Sequence, residues 1–161
     1  MKKKQGLSFD FLRTLEPGQI EPFLHKQDWS VHQVITPLLD LYGPAEVRIM
    51  TFNFSEDSLR TLFLEPRITD LKMLVDFTVS RNKLSLMLFA AAVVPNIRLE
   101  ATHAKILLVH NDRISFGVVG SANLNLEVRY ESGFWFSGGW IYDYFSDEFD
   151  RIFENALPYE F

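Results

Sequence analysis

The chain has 161 residues, 47% of them hydrophobic and 14% aromatic, with a formal charge of −5; a chain of this size buries about 70% of its unfolded surface around one core without covalent staples. The absence of cysteine excludes a disulfide framework, a thiolate zinc site and a thiol nucleophile, and fits a reducing compartment. The acidic balance argues against a generally basic coat for nucleic acid, though not against a local basic cleft.

Residues 1–27 read as an N-terminal arm, mostly irregular, with one helical turn expected around Phe9 to Leu15. Its start, Met1-Lys2-Lys3-Lys4, leads into no apolar core long enough for a signal peptide. No run reaches the ~20 apolar residues of a membrane span, the longest being Leu84 to Pro95. The expectation is a cytoplasmic protein with no stable membrane association. Residues 28–161 read as a single domain. Asp28 suits a helix N-cap, followed by Trp29, Val31, Val34, Ile35, Leu38, Leu39 and Leu41 at helical spacing. Pro37 should kink that helix or end it early, and Gly43-Pro44 stops it. His25 and His32 read as surface or packing histidines.

Glu46 to Phe54 alternates like a first strand, and Ser55 caps a short helix through Leu59, Leu62 and Phe63. A second strand centres on Leu71 to Phe77. Ser80 then opens an apolar helix from Leu84 to about Val94, stopped by Pro95. A third strand, Ile97 to His110, turns at Asn111-Asp112 into a fourth, Ile114 to Val119, ending at Gly120-Ser121. Tyr130 to Phe136 makes a fifth, and a closing amphipathic helix carries Trp140, Tyr144, Phe145, Phe149, Ile152 and Phe153. Such alternation predicts an α/β fold with a mixed, mostly parallel sheet and helices on both faces.

The third strand holds an anomaly. His103 and Lys105, two residues apart, would leave a strand on one face, amid Ile106, Leu107, Leu108 and Val109. In a strand buried on both faces, an unpaired imidazole and ammonium cost several kcal/mol, roughly the penalty for any buried polar group. An anionic ligand would compensate them.

His103-x-Lys105, followed by Gly120-Ser121-Ala122-Asn123, resembles the phospholipase D superfamily, whose signature is His-x-Lys, four residues, Asp, then Gly-Ser-x-Asn. The chemistry explains the residue types. Histidine can attack phosphorus and leave again near neutral pH, and lysine holds charge on the non-bridging oxygens. Asn123 adds a neutral donor. Gly120 is expected to let backbone approach the phosphate, with Ser121 supplying a hydroxyl and an amide. Glu131 is placed to accept the second imidazole N–H of His103, fixing its tautomer. The chain departs from the signature in three ways: His110 stands where the family has its mainly structural aspartate, with Asp112 following in the turn, the stretch from His103 to Gly120 is a few residues longer, and that from Asn123 to Glu131 is shorter. Leu41 to Ala45, His103 to Ile106 and Arg129-Tyr130-Glu131 are similar to a branch of small, single-motif bacterial and phage members. Asp76 and Asn53, near other strand ends, are candidates to line the same cleft.

The resemblance implies a phospholipase D-like fold and two His-x-Lys motifs per site. This chain has one, and His25, His32 and His110 lack a lysine two residues later. The implied enzyme is therefore a homodimer with a composite site, needing no metal or cofactor. His103, Lys105, Asn123 and Glu131 are the catalytic candidates, with Lys105, Gly120, Ser121 and Asn123 around the phosphate. Small single-motif members resemble nucleases, so the expected substrate is a nucleic-acid phosphodiester. The alternative is a non-catalytic dimeric module that grips phosphate or nucleic acid. A phospholipid is less favoured, since no amphipathic membrane helix is evident.

Overall fold

The computed structural model describes residues 9–26, 28–125 and 128–160. Eight strands and five α-helices follow one another as β1 (Gln19–Lys26), α1 (Ile35–Tyr42), β2 (Ala45–Thr51), α2 (Glu56–Phe63), β3 (Ile68–Asp76), α3 (Phe77–Asn82), α4 (Leu84–Val93), β4 (Asn96–Glu100), β5 (Ile106–His110), β6 (Ser115–Gly120), β7 (Tyr130–Ser137), α5 (Gly139–Asn155) and β8 (Leu157–Pro158). Local chemistry sets several ends. Ser55 Oγ accepts from Ser58 N at 3.2 Å at the start of α2. Asp76 Oδ1 accepts from Thr78 N at 2.8 Å and starts α3, so the helix expected from Ser80 is two helices that break at Lys83. Gly43 closes α1 with φ +87°, a conformation costly to a side chain. Pro37 neither kinks nor ends that helix, because it lies in the first turn, where no intrahelical donor is lost. A 3-10 turn, Val31–Val34, precedes α1. Ser30, rather than Asp28, starts it, its N–H bonded to Gln33 Oε1 at 2.8 Å.

The strands form one sheet in the order β1-β7-β6-β5-β2-β3-β4-β8. Only β2–β3 and β3–β4 are parallel; the other five pairings are antiparallel. The sheet is mixed, with helices on both faces, but it is not mostly parallel. The reason is loop length: parallel neighbours need a crossover of about a dozen residues, and only the connections carrying α2, α3 and α4 supply one. The 111–114 turn joins β5 and β6 as a hairpin.

One face packs the 3-10 helix Asp10–Thr14, α1, α2 and α4 against Val47, Ile49, Met73, Leu107, Val109, Phe116, Val118 and Trp135. The other packs α5, through Tyr142, Phe149 and Phe153, on Met50, Leu74, Leu108 and Phe136. The segment read as irregular is half right. A 3-10 helix at Asp10–Thr14 buries Leu12 completely, but Gln19–Lys26 is a strand, paired along its length with β7. Pro22 is tolerated because β1 is an edge strand.

Gly120 and Gly133 face each other across β6 and β7. A β-carbon on Gly133 would run into the Val119 carbonyl and stand 2.7 Å from Gly120 Cα. Gly133→Ala is therefore expected to lower stability by about 1–3 kcal/mol, read from the denaturant midpoint.

His32 is buried, its Nδ1 2.8 Å from Ser30 Oγ. Burial lowers its pKa to about 4 from 6.5, against a small opposing pull from Asp57. Between those values the unfolded chain takes a proton that the folded chain refuses, so stability falls as pH drops through the window, by up to about 3 kcal/mol. Unfolding free energies measured on either side of the window should show this slope in wild type and lack it in His32→Gln.

Candidate active site

The anomalous segment lies in the sheet's connections. The expected third strand is two, β4 and β5, joined by residues 101–105. Since β2 and β3 lie between β4 and β5, this loop crosses the carboxyl ends of both. Its polar backbone is satisfied mainly by side chains rather than a ladder. Thr102 N donates to Asp76 Oδ2 at 2.9 Å, Ala101 N to Glu100 Oε1 at 2.8 Å, and Ala104 N to Thr102 Oγ1 at 3.1 Å. Gly120 N then donates to the Lys105 carbonyl at 3.3 Å, fastening the end of β6 to the loop.

His103 is exposed and Lys105 half-buried. The cost of burying both therefore does not arise, and the case for an anion cannot rest on it. Their alternation survives nonetheless. Lys105 Nζ lies 2.9 Å from His103 Nδ1 and 2.7 Å from its carbonyl oxygen. An ammonium only donates, so Nδ1 is the acceptor and a neutral ring carries its hydrogen on Nε2. Phe52, which follows β2, supports both groups: its ring centroid is 4.8 Å from that of His103 and 5.7 Å from the ammonium. Desolvation lowers the Lys105 pKa, while the negative charge of Glu131 opposes the shift.

The end of β6 faces this loop. Ser121 donates its hydroxyl to Glu131 Oε2 and accepts from Ser132 N at 3.0 Å. Among the described residues Glu131 thus pairs with Ser121 and not, as expected, with His103. Asn123 Oδ1 accepts from Asn53 N at 3.2 Å, and Asn53 Oδ1 accepts from Lys83 Nζ at 3.0 Å. No hydrogen bond from Asn123 Nδ2 occurs among the described residues. The room that Gly120 makes is filled by protein rather than left for a ligand. A β-carbon there would be 2.5 Å from the Ser132 carbonyl oxygen. A small cleft of about 10 Å³, mostly apolar, lies beside these residues, with Phe23, Met50, Thr51, Lys105, Gly120 and Leu124 in its lining.

His103, Lys105, Ser121, Asn123 and Glu131 therefore gather at one edge of the sheet, with Asp76 and Asn53 behind them. Asp76 serves as a buried tether rather than a cleft wall. His110 does not join them. It ends β5 at the opposite edge, Nδ1 2.8 Å from Ser115 Oγ and its ring on Tyr142. Asp112 lies in the 111–114 turn, as read. Phe52 and Lys83 were missed, because an aromatic after a strand and a lysine between apolar helices carry no signal of their own. No group of three or more metal-ligating side chains occurs among the described residues.

Two solved structures share this architecture. One is a phospholipase D family member, Nuc, from Salmonella typhimurium, with a TM-score of 0.66 at 15% identity, covering 89% of this chain and 100% of the other. The fold is phospholipase D-like. The other, NucT from Helicobacter pylori, gives a TM-score of 0.64 at 16% identity, covering 88% and 100%. No protein-family model and no curated protein sequence matches the chain. At these identities the likeness is one of phospholipase D-like fold; chemistry has to be argued from the residues themselves.

Asp76 carries both the α3 cap and the tether at Thr102. Burial pushes its pKa up, but the hydrogen bonds from Thr78 and Thr102 and the charge of Arg81 outweigh this, leaving it lowered. Its contribution is thus present above the ordinary carboxylate pKa of 3.8 and is lost as pH falls through the folded value. Asp76→Ala should cost about 1–3 kcal/mol at neutral pH and speed proteolytic cutting within residues 101–105. Denaturant titration and mapped limited digestion read the two effects.

Proposed function

We propose that the protein is a phosphodiesterase, nuclease-like, that works through a phosphohistidine at a site shared by two copies of the chain. What carries this reading is the meeting of the Lys105 ammonium and the His103 ring, 2.9 Å apart, on a loop beside Ser121, Asn123 and Glu131. A phosphate draws Lys105 and the Ser121 hydroxyl to its non-bridging oxygens, joined by the Nδ2 donors of Asn123. His103 Nδ1, relieved of the ammonium, takes the ring hydrogen and donates it to Glu131. Nε2 is then the free lone pair.

Nε2 of His103 attacks phosphorus as the bond to the leaving oxygen breaks. His103 of the partner subunit gives that oxygen its proton. The same partner ring next takes a proton from water, whose oxygen attacks phosphorus as the P–N bond breaks, restoring both rings. Lysine supplies the charge that a metal would otherwise bring. Nucleic acid is the proposed substrate, on the strength of the resemblance to small single-motif members.

A second reading has a specific observation behind it. With Lys105 on Nδ1, the ring hydrogen of a neutral His103 falls on Nε2, the wrong nitrogen for attack, as a module that only grips phosphate would tolerate.

Hydrolysis of a chromogenic phosphodiester, with chelator present, separates the two. Wild type should exceed His103→Ala by about 1000-fold or more, with no loss to the chelator. Equal rates would leave only the binding module. Sedimentation at assay concentration should give a dimer, and an active strict monomer would overturn the shared site.

A further inference from the structure

His25 reads in sequence as a surface or packing histidine, yet β1 carries it to the edge of the sheet where the site lies. It is only 9% exposed, stacked on Phe23 at 5.3 Å and packed on Trp29 at 4.8 Å between ring centroids. Neither ring nitrogen has a hydrogen-bond partner among the described residues. A buried imidazole with nothing to bond is an uncommon arrangement that calls for a reason.

The sheet register supplies one. β1 runs antiparallel to β7, and His25 stands directly opposite Glu131. Opposed residues project from the same face, with β-carbons about 4.5–5.5 Å apart, within reach of an imidazole and a carboxylate. The neighbouring residues agree on that face. Phe23, Trp29, Val118 and Trp135 all belong to the α1 side, and the cleft beside Lys105 is lined by Phe23. Gly133, the next β7 position on that face, has no side chain to intervene; a β-carbon there would be 2.9 Å from Phe23 Cζ. Lys26 leaves on the other face, over the Tyr130 ring. Glu131 holds the Ser121 hydroxyl through Oε2, a bond Ser121 must give up to donate elsewhere.

We propose that His25 is a positioning residue for Glu131: its ring N–H takes over on the carboxylate when the Ser121 hydroxyl turns away. The turn of Ser121 toward a phosphate rests on the phosphodiesterase reading above, whereas the capacity of His25 to pair with Glu131 does not. His25 would then keep Glu131 in place, and ionised, at the moment it must accept from His103.

Removing the competing donor tests the pairing without substrate. Nitrogen-edited NMR of the imidazole signals in the full chain should show His25 shifting in Ser121→Ala as it bonds Glu131. In the double variant Ser121→Ala/Glu131→Gln the signals should return toward the wild-type position. Identical His25 spectra in all three proteins would overturn the proposal. Kinetics give a second readout that packing alone would not move. His25→Phe fills the same space without a donor and should lower kcat about tenfold with KM unchanged, while His25→Gln restores most of the rate. Wild-type turnover in His25→Phe would also overturn it. If no diester is hydrolysed by wild type, the phosphodiesterase reading falls and the spectra alone decide on His25.

Discussion

The site depends on the length of one loop. From the end of β4 to the start of β5 the chain must pass two intervening strands, three inter-strand spacings or ~14 Å. Residues 101–105 and their flanking bonds reach ~20 Å at full extension. The loop therefore has only about 6 Å to spare as it passes the carboxyl ends of β3 and β2. Everything it touches follows from that path: Asp76 at the end of β3 receives Thr102, and Phe52 after β2 receives His103. An extended chain alternates its side chains whether or not it is in a sheet, which is why His103 and Lys105 remain on one side. Ligands of open α/β sheets commonly sit at strand carboxyl ends, and here a short crossing loop carries His103 and Lys105 to that edge.

The polar groups at this edge satisfy one another: Lys105 with His103, Ser121 with Glu131, Asn123 with Asn53. Each such bond contributes only about 1 kcal/mol net, and His103, Ser121 and their neighbours face water. A dianionic or monoanionic phosphate offers stronger, charge-assisted partners to the same donors. In the mechanism proposed above, one incoming anion would exchange several of these pairings together. The ring hydrogen of His103 would then follow where Lys105 goes, coupling binding to nucleophile formation in a single rearrangement.

Much of this was legible in the sequence because its signals are local. Ser55, Gly43 and Pro95 bound their elements through backbone chemistry that needs no tertiary context, and the alternation of strand and helix gave the α/β class. Pairing direction was not legible, since it depends on which strands become neighbours; the chain reaches the far side of β2 by crossing both β3 and β2, and nothing in the residues of β5 records that. The crossing loop passed for a strand because extension and an apolar continuation look alike in either setting. β1 was hidden by the Pro17-Gly18 turn before it and by Pro22 within it, a residue that an edge strand tolerates and a central one does not. Gly120 was rightly singled out for the wrong neighbour: the backbone that approaches it is Ser132's. His25 had no local signal at all, since its meaning lies in the residue across the sheet.

The departure from the family motif can be placed by the same geometry. His110 is five residues beyond Lys105 along a strand, ~17 Å at strand rise, so it stands at the far edge of the sheet from the loop. There it pairs with Ser115 across the hairpin and stacks on Tyr142 of α5. Its opposite residue on β2 is Glu46, which holds Arg48 at 3.3 Å, and Arg48 in turn reaches Asp150 and Ser146 of α5. That end of β5 belongs to a polar network that seats α5 on the sheet. The two ends of β5 thus carry separable tasks, helix anchorage at one and the loop of His103 and Lys105 at the other. Exchange at position 110 bears on the first and reaches the second only through the rigidity of the strand between them.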